Sequence, residues 1–176
     1  MIGYMSLEEQ VDKDFERARR RSLVKRLAAR LRGDPGRFRL PAFEAVRRAT
    51  RAENRVYLGR RVVEASRVVG SVGRSGEFDR DFMPTAKAGV DRWKRVDRAF
   101  HAGLDLPPVV LYEICGGYFV QDGNHRVSVA RFQGVEMIEA EVTRFHPRSP
   151  ACACDPGYVE GHVGWNLARV PWVPCS

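Results

Sequence analysis

The stretch Tyr118-Phe119-Val120-Gln121-Asp122-Gly123-Asn124-His125-Arg126-Val127-Ser128-Val129-Ala130-Arg131 constrains this chain most. An apolar run long enough for a short strand meets Asp122-Gly123, and the spacing of Val127, Val129 and Ala130 then predicts a helix that starts almost at once. Gly123 lets the backbone turn sharply and lets a ligand approach closely. Asn124 is expected as the N-cap, so the unpaired N–H groups of the first helical turn would point out of the corner beside His125 and Arg126. Oriented amides, the positive end of a helix dipole and a two-pronged guanidinium together make an anion site, with phosphate as the expected guest. The competing reading is a plain turn, in which Asp-Gly serves only the bend and the His-Arg pair is solvated.

The residues Gly123-Asn124-His125-Arg126-Val127-Ser128-Val129-Ala130 resemble the Gly-x-x-Arg-x-x-x-Ala box of the ParB/sulfiredoxin superfamily. Leu106-Pro107-Pro108-Val109-Val110-Leu111-Tyr112 resembles the strand that leads into that box, and 134–142 resembles the strand that closes the family's sheet. Upstream, Val68-Val69-Gly70-Ser71-Val72-Gly73-Arg74, followed by Phe78-Asp79, is similar to its first nucleotide-contacting box, of which Arg74 and the spacing remain. The resemblance implies an α/β (α+β) fold, a small mixed sheet with packed helices, over residues 61–145. It also implies a nucleoside triphosphate, CTP or ATP with Mg²⁺, held by Gly123, Asn124, His125 and Arg126 and closed over by Ser71 and Arg74.

Departures from the family narrow the activity. Sulfiredoxins carry a reactive Cys before the His-Arg pair, and Asn124, which stands there, is no nucleophile. Partition proteins of the ParB type continue into a helix-turn-helix domain, whereas only a proline-containing tail, 146–176, follows here. Free-serine kinases of the superfamily use Asp-Gly-His-His-Arg, one substitution from Asp122-Gly123-Asn124-His125-Arg126. Three functions therefore stand: a nucleotide-binding module, a small-molecule phosphotransferase with Asp122 as base or metal ligand, and a non-catalytic interaction domain. Glu77 and Asp79 are the nearest acids in sequence for Mg²⁺.

Charge separates the chain into unlike parts. Residues 1–60 hold 16 Lys/Arg against 8 Asp/Glu, whereas residues 61–176 hold 14 of each, so the whole formal excess of +8 lies in the N-terminal third. Ser6 with Glu9 has the pattern of a capping box that opens one long helix to about Arg32. Leu7, Val11, Phe15 and Ala18, then Val24, Leu27, Ala28 and Leu31, form its apolar stripe. Acids crowd its first half and cations its second, which suits the helix dipole and also suits a phosphate-rich partner. This basic arm, through Arg19, Arg20 and Arg26, is expected to meet nucleic acid, DNA more than RNA, and a homodimer is a further expectation.

A shorter helix is expected from Pro41 to Arg51, a connection over Asn54–Arg60, and a first strand at Val62–Ala65. Val90, Trp93, Val96 and Phe100 mark another helix, with Trp93 in the core. Cys115-Gly116-Gly117 forms a hairpin turn, and Ile138, Ala140 and Val142 alternate inward in the last strand. No run reaches the roughly 20 apolar residues of a membrane span, and no basic-then-apolar leader opens the chain, so a cytoplasmic protein without membrane contact is expected. Cys152, Cys154 and Cys175 with His146 or His162 supply tetrahedral zinc donors, but Cys-x-Cys fits zinc spacing poorly.

Overall fold

A computed structural model describes residues 5–33 and 35–148. Helices and a five-stranded mixed sheet give the α/β class expected. In chain order the elements are α1 (Leu7–Leu31), α2 (Phe43–Thr50), β1 (Asn54–Glu64), β2 (Val68–Ser71), α3 (Val90–His101), β3 (Val109–Ile114), β4 (Gly117–Asp122), α4 (Asn124–Phe132) and β5 (Met137–His146). The strands lie in the order β1-β5-β3-β4-β2, antiparallel at β1/β5 and β3/β4 and parallel at β5/β3 and β4/β2. No helix among the described residues is long and apolar enough to cross a membrane.

The period-2 alternation of the inner strands divides the core between the sheet's faces. Leu111, Tyr118, Val120, Ala140 and Val142 pack with Phe15 and Ala18 of α1, Trp93 of α3 and Val127 and Val129 of α4. Ile114, Phe119 and Phe145 lie in a second cluster with Phe43 and Val46 of α2. Between β3 and β4 the chain turns in two residues, Cys115 (φ 51°) and Gly116 (φ 77°). Consecutive left-handed residues match the twist of a tight hairpin, and Gly117 already belongs to β4.

The capping box of α1 is formed: the Glu9 N–H donates to Ser6 Oγ at 3.2 Å, and the Ser6 N–H donates to Glu9 Oε2 at 3.0 Å. Its two halves then diverge. Val11, Phe15 and Ala18 are buried, and the acids of this half meet the cations of α3, Glu8 with Arg98 at 2.6 Å and Asp12 with Lys94 at 2.7 Å. The expected stripe does not continue as a packed face, because Val24 and Leu27 are more than half exposed and Leu31 is 89% exposed. A helix of 25 residues extends about 37 Å, and past Ser22 it meets its neighbours through polar side chains such as Lys25, which pairs with Asp81, and buries none of its residues fully.

Three other expectations need correction. The Asn54–Arg60 connection is the first part of β1, an 11-residue edge strand paired with β5 along its length, so the expected boundary at 60/61 falls inside a strand. The strand ends at Glu64 and Ala65 begins a 3₁₀ turn, although the Ala65 N–H still donates across to Glu136 O, opposite it in register, at 2.8 Å. Pro41 does not open α2: its carbonyl accepts the Ser71 N–H at 3.0 Å, which holds it extended beside β2, and the helix starts at Phe43.

Gly70 belongs to this packing. A Cβ there would stand 2.4 Å from the Phe119 ring and 2.6 Å from the Pro41 carbonyl oxygen. Its neighbours Gly73 and Gly76 face open space.

Candidate functional site

The corner between β4 and α4 is built on Gly123, whose φ of 97° suits glycine alone among common residues. A Cβ there would lie 2.7 Å from Val109 Cγ1 and 3.0 Å from Arg126 Nε. Gly123 is itself the N-cap, and Asn124 is the first helical residue, which corrects the expectation that Asn124 caps the helix. The left-handed glycine turns the chain into helix one residue early, so the Asn124 side chain goes inward, where its buried Oδ1 has no hydrogen-bond partner. The first helical N–H groups remain unpaired by the helix and open its N-terminus to an anion.

His125 is buried, edge-on to Phe78 with centroids 5.2 Å apart, and its Nε2 has no partner. Burial pushes the imidazole below its usual value; Arg74 and Arg92 push the same way, while Glu77 and the Gly89 backbone oppose. His125 thus brings an unpartnered ring nitrogen to the corner, able to hydrogen-bond a ligand.

Arg126 is held on three sides. One terminal nitrogen donates to the Pro107 carbonyl and to Pro108 O at 2.8 Å, and the other meets Asp122 Oδ2 at 2.5 Å. The two prolines thus present carbonyls that fix the guanidinium at the mouth of the corner. Asp122 remains largely exposed beside it.

A cavity of about 220 Å³ opens in front of this corner, lined by Arg74, Arg92, Arg95, Arg126, Asp122 and His125, among others. Four guanidinium groups against one carboxylate leave the wall strongly positive. Arg74 arrives from the loop after β2, where its backbone N–H donates to Ser71 Oγ at 3.1 Å and its side chain grips Glu77 at 3.0 Å. Ser71 is fully buried with its hydroxyl also 3.4 Å from Val120 O, so it positions the loop and does not line the cavity.

Arg92 and Arg95 were not singled out by sequence. They stand one turn apart on α3, exposed, and among the described residues neither has a hydrogen bond or an ion pair. In sequence they look like any solvated helix face. The one available signal was their i, i+3 spacing beside the apolar Trp93 and Val96, which aims them along the edge of a packed face.

The expected magnesium acids are turned to other tasks. Glu77 pairs with Arg74, and Asp79 is buried, its Oδ1 accepting the N–H groups of Asp81 and Met83 at 2.9 Å each. Burial raises the Asp79 carboxyl, against the pull of the Met83 N–H, the Ser22 hydroxyl, Lys25 and Arg131. Neither acid belongs to a group of three metal-ligating side chains among the described residues. Cys152, Cys154, Cys175 and His162, weighed as zinc donors, lie outside the described residues.

On the basic arm, Arg19, Arg20 and Arg26 are exposed with no hydrogen bond or ion pair among the described residues, while Lys25 pairs with Asp81 and Arg21 stacks on Phe132 at 4.9 Å. Arg26 and Arg30 also line a second cleft, together with Arg39 and Lys87. Comparisons with protein-family models, curated proteins and solved structures find no match for this chain.

Proposed function

We propose that this protein is a nucleotide-binding module of the ParB-like kind, with the phosphates of CTP or ATP seated at the N-terminus of α4. The observation that carries this reading is the cavity in which Arg92 and Arg95, unengaged, face the same space as Arg74, Arg126 and the open helix start. Polyphosphate needs several cations converging on oriented N–H groups, and here four guanidinium groups border one open cleft at the helix start. The roles divide by mobility. Arg126, held by Pro107, Pro108 and Asp122, sets the register of the ligand; Arg92 and Arg95 are free to close on its outer phosphates, and Arg74 could leave Glu77 to join them. Magnesium would neutralise the remaining phosphate charge, with Asp122 the exposed carboxylate nearest the site.

Titration of the full chain with labelled CTP, ATP and GTP in the presence of Mg²⁺ tests this. Saturable binding by one of them is expected. No binding by any at about 1 mM, a free energy of only about −4 kcal/mol, would remove the reading.

The exposed Asp122 on the cavity wall keeps a phosphotransferase reading in view, since a carboxylate there could accept the proton of an acceptor hydroxyl. Substrate-dependent ADP release, abolished by Asp122→Asn, would identify it.

The second half of α1 fits the phosphate backbone of nucleic acid, because its unpaired Arg19, Arg20 and Arg26 point to solvent. Replacing all three by Gln should weaken DNA or RNA binding and flatten its dependence on salt, since neutralising fewer phosphates releases fewer counterions. Nucleotide affinity should be unchanged in the same variant. Equal nucleic-acid binding by parent and variant at low salt would leave α1 as a solvated helix.

A further inference from the structure

Away from the arginine cavity, α1, α3 and the end of α4 meet around three side chains that no proposed ligand uses. Asp14 is 3% exposed and Asp97 is 0% exposed. His101 follows Asp97 by one helical turn, and its Nε2 lies 2.9 Å from Asp14 Oδ2 and 3.6 Å from Asp97 Oδ2. The three donor atoms all lie within 4.8 Å of one another.

The chemistry of this cluster is incomplete as a set of hydrogen bonds. Asp97 Oδ1 accepts from Gln133 Nε2 at 2.8 Å, but Asp97 Oδ2, wholly buried, has no hydrogen-bond partner. An unpaired buried carboxylate oxygen is costly, and Arg17, 3.6 Å from Asp14 Oδ1, offsets the charge of Asp14 without reaching Asp97 Oδ2. Burial accordingly pushes the Asp97 carboxyl up, against Gln133 and His101, with Asp14 adding to the rise. A divalent cation would satisfy the orphan oxygen and balance both carboxylates with the imidazole neutral.

The spacing fits such an ion. In a tetrahedral zinc site with bonds of about 2.0–2.2 Å, ligand atoms stand about 3.3–3.6 Å apart. The distances of 2.9 and 3.6 Å from His101 Nε2 bracket that range, and the Asp14 and Asp97 oxygens lie within 4.8 Å of each other, so a small inward shift seats all three. Asp97 and His101 at i, i+4 present two donors from one helix face, as metal-binding helix pairs do, and Asp14 adds a third from another element. Gln133 Nε2, which also lies 3.3 Å from both Asp14 Oδ2 and His101 Nε2, touches all three side chains, and Gln10 Nε2 donates to Asp14 Oδ2 at 3.2 Å, so the two amides hold the donors in place and would turn aside as an ion enters. His101, an exposed residue whose side chain is 23% exposed, is the solvent-side member through which an ion would arrive. An imidazole with only two carboxylates suits a transition ion better than Mg²⁺ or Ca²⁺, which ask for six or more oxygens.

We propose that Asp14, Asp97 and His101 form a binding site for a divalent transition-metal ion, with Zn²⁺ the best match, and that the ion fastens the docked half of α1 to α3. This inference does not rest on the nucleotide reading. The full chain, stripped with a chelator and dialysed, is titrated with Zn²⁺ by calorimetry and with Co²⁺ by visible absorption, with Mg²⁺ as the control. One equivalent of Zn²⁺ should bind, Co²⁺ should show the d–d bands of a low-coordinate site, and Mg²⁺ should leave both signals flat. Losing a ligand should weaken binding by more than the 10–100-fold typical of an orienting partner, so Asp97→Asn and His101→Gln should each cost more than about 100-fold, and Gln133→Ala about 10–100-fold. His101→Gln, at a partly exposed position, guards against a misfolded Asp97→Asn. No Zn²⁺ or Co²⁺ uptake by the folded parent, or uptake undiminished in His101→Gln, overturns the site.

Discussion

Trp93→Ala should lower the free energy of unfolding by about 3–5 kcal/mol. The indole is fully buried where α1, α3 and α4 converge, edge-on to Phe15 at 5.5 Å and to Phe132 at 5.6 Å. Truncation opens a large void among three helices that the sheet prevents from closing in. It also removes the Nε1–H that donates to Ser128 Oγ at 2.9 Å, leaving a hydroxyl with no exposure to water. Trp93→Phe separates the two losses: it keeps most of the apolar volume and forfeits the hydrogen bond, which should cost about 1–3 kcal/mol. Urea unfolding measures both, as a fall in midpoint with an unchanged slope. A loss below about 1 kcal/mol in Trp93→Ala would mean that the three helices repack freely, contrary to a close-packed core.

Arg92→Gln combined with Arg95→Gln should reduce nucleotide affinity by about 100- to 10,000-fold. Each charge-assisted bond to phosphate is worth about 1.5–3 kcal/mol, and about 1.4 kcal/mol is a tenfold change. The fold should be indifferent, since exposed side chains without partners change stability by only about 0.5 kcal/mol either way. That contrast makes the pair a cleaner test than Arg126. Arg126→Gln would also untie the chain before β3 from the α4 corner, so lost binding could not be told from lost structure. Affinity unchanged in the double variant would show that phosphates, if bound, lie elsewhere.

What could be read in the sequence follows from where local signals coincide with packing. The period changes from 2 to 3.6 at Gly123, and that glycine has the positive φ the turn requires, so the β4–α4 corner was legible almost to the residue. The start of α1 was equally plain, because a capping box satisfies its N–H groups locally, whatever the rest of the chain does. The cap of α4 was misplaced because Asn is a good N-cap by type, yet the glycine before it took the position. β1 was missed in its first half because an edge strand with both faces largely exposed shows no alternation to read. Leu27 and Leu31 recur at helical spacing, but periodicity says which residues share a face and not whether anything covers it. Arg92 and Arg95 gain meaning only when α3 is laid beside the N-terminus of α4. Asp97 and His101 stand at i, i+4 in the sequence, but Asp14 joins them from a helix far away in the chain, so the set of three could not be read as a motif.

The long edge of β1 bears on how copies of this chain keep apart. Its outer row of backbone groups has no strand beside it among the described residues, and Val56, Tyr57 and Val62 are exposed, which together make a template for edge-to-edge pairing. Two features blunt it. The register slips between Tyr57 and Gly59, bending the strand midway, and Arg55 and Arg61 place cations on either side of that bend. A second copy approaching antiparallel would set arginine against arginine across the new ladder. Arg55 and Arg61 thus guard an exposed sheet edge, and salt, by screening them, should weaken that protection.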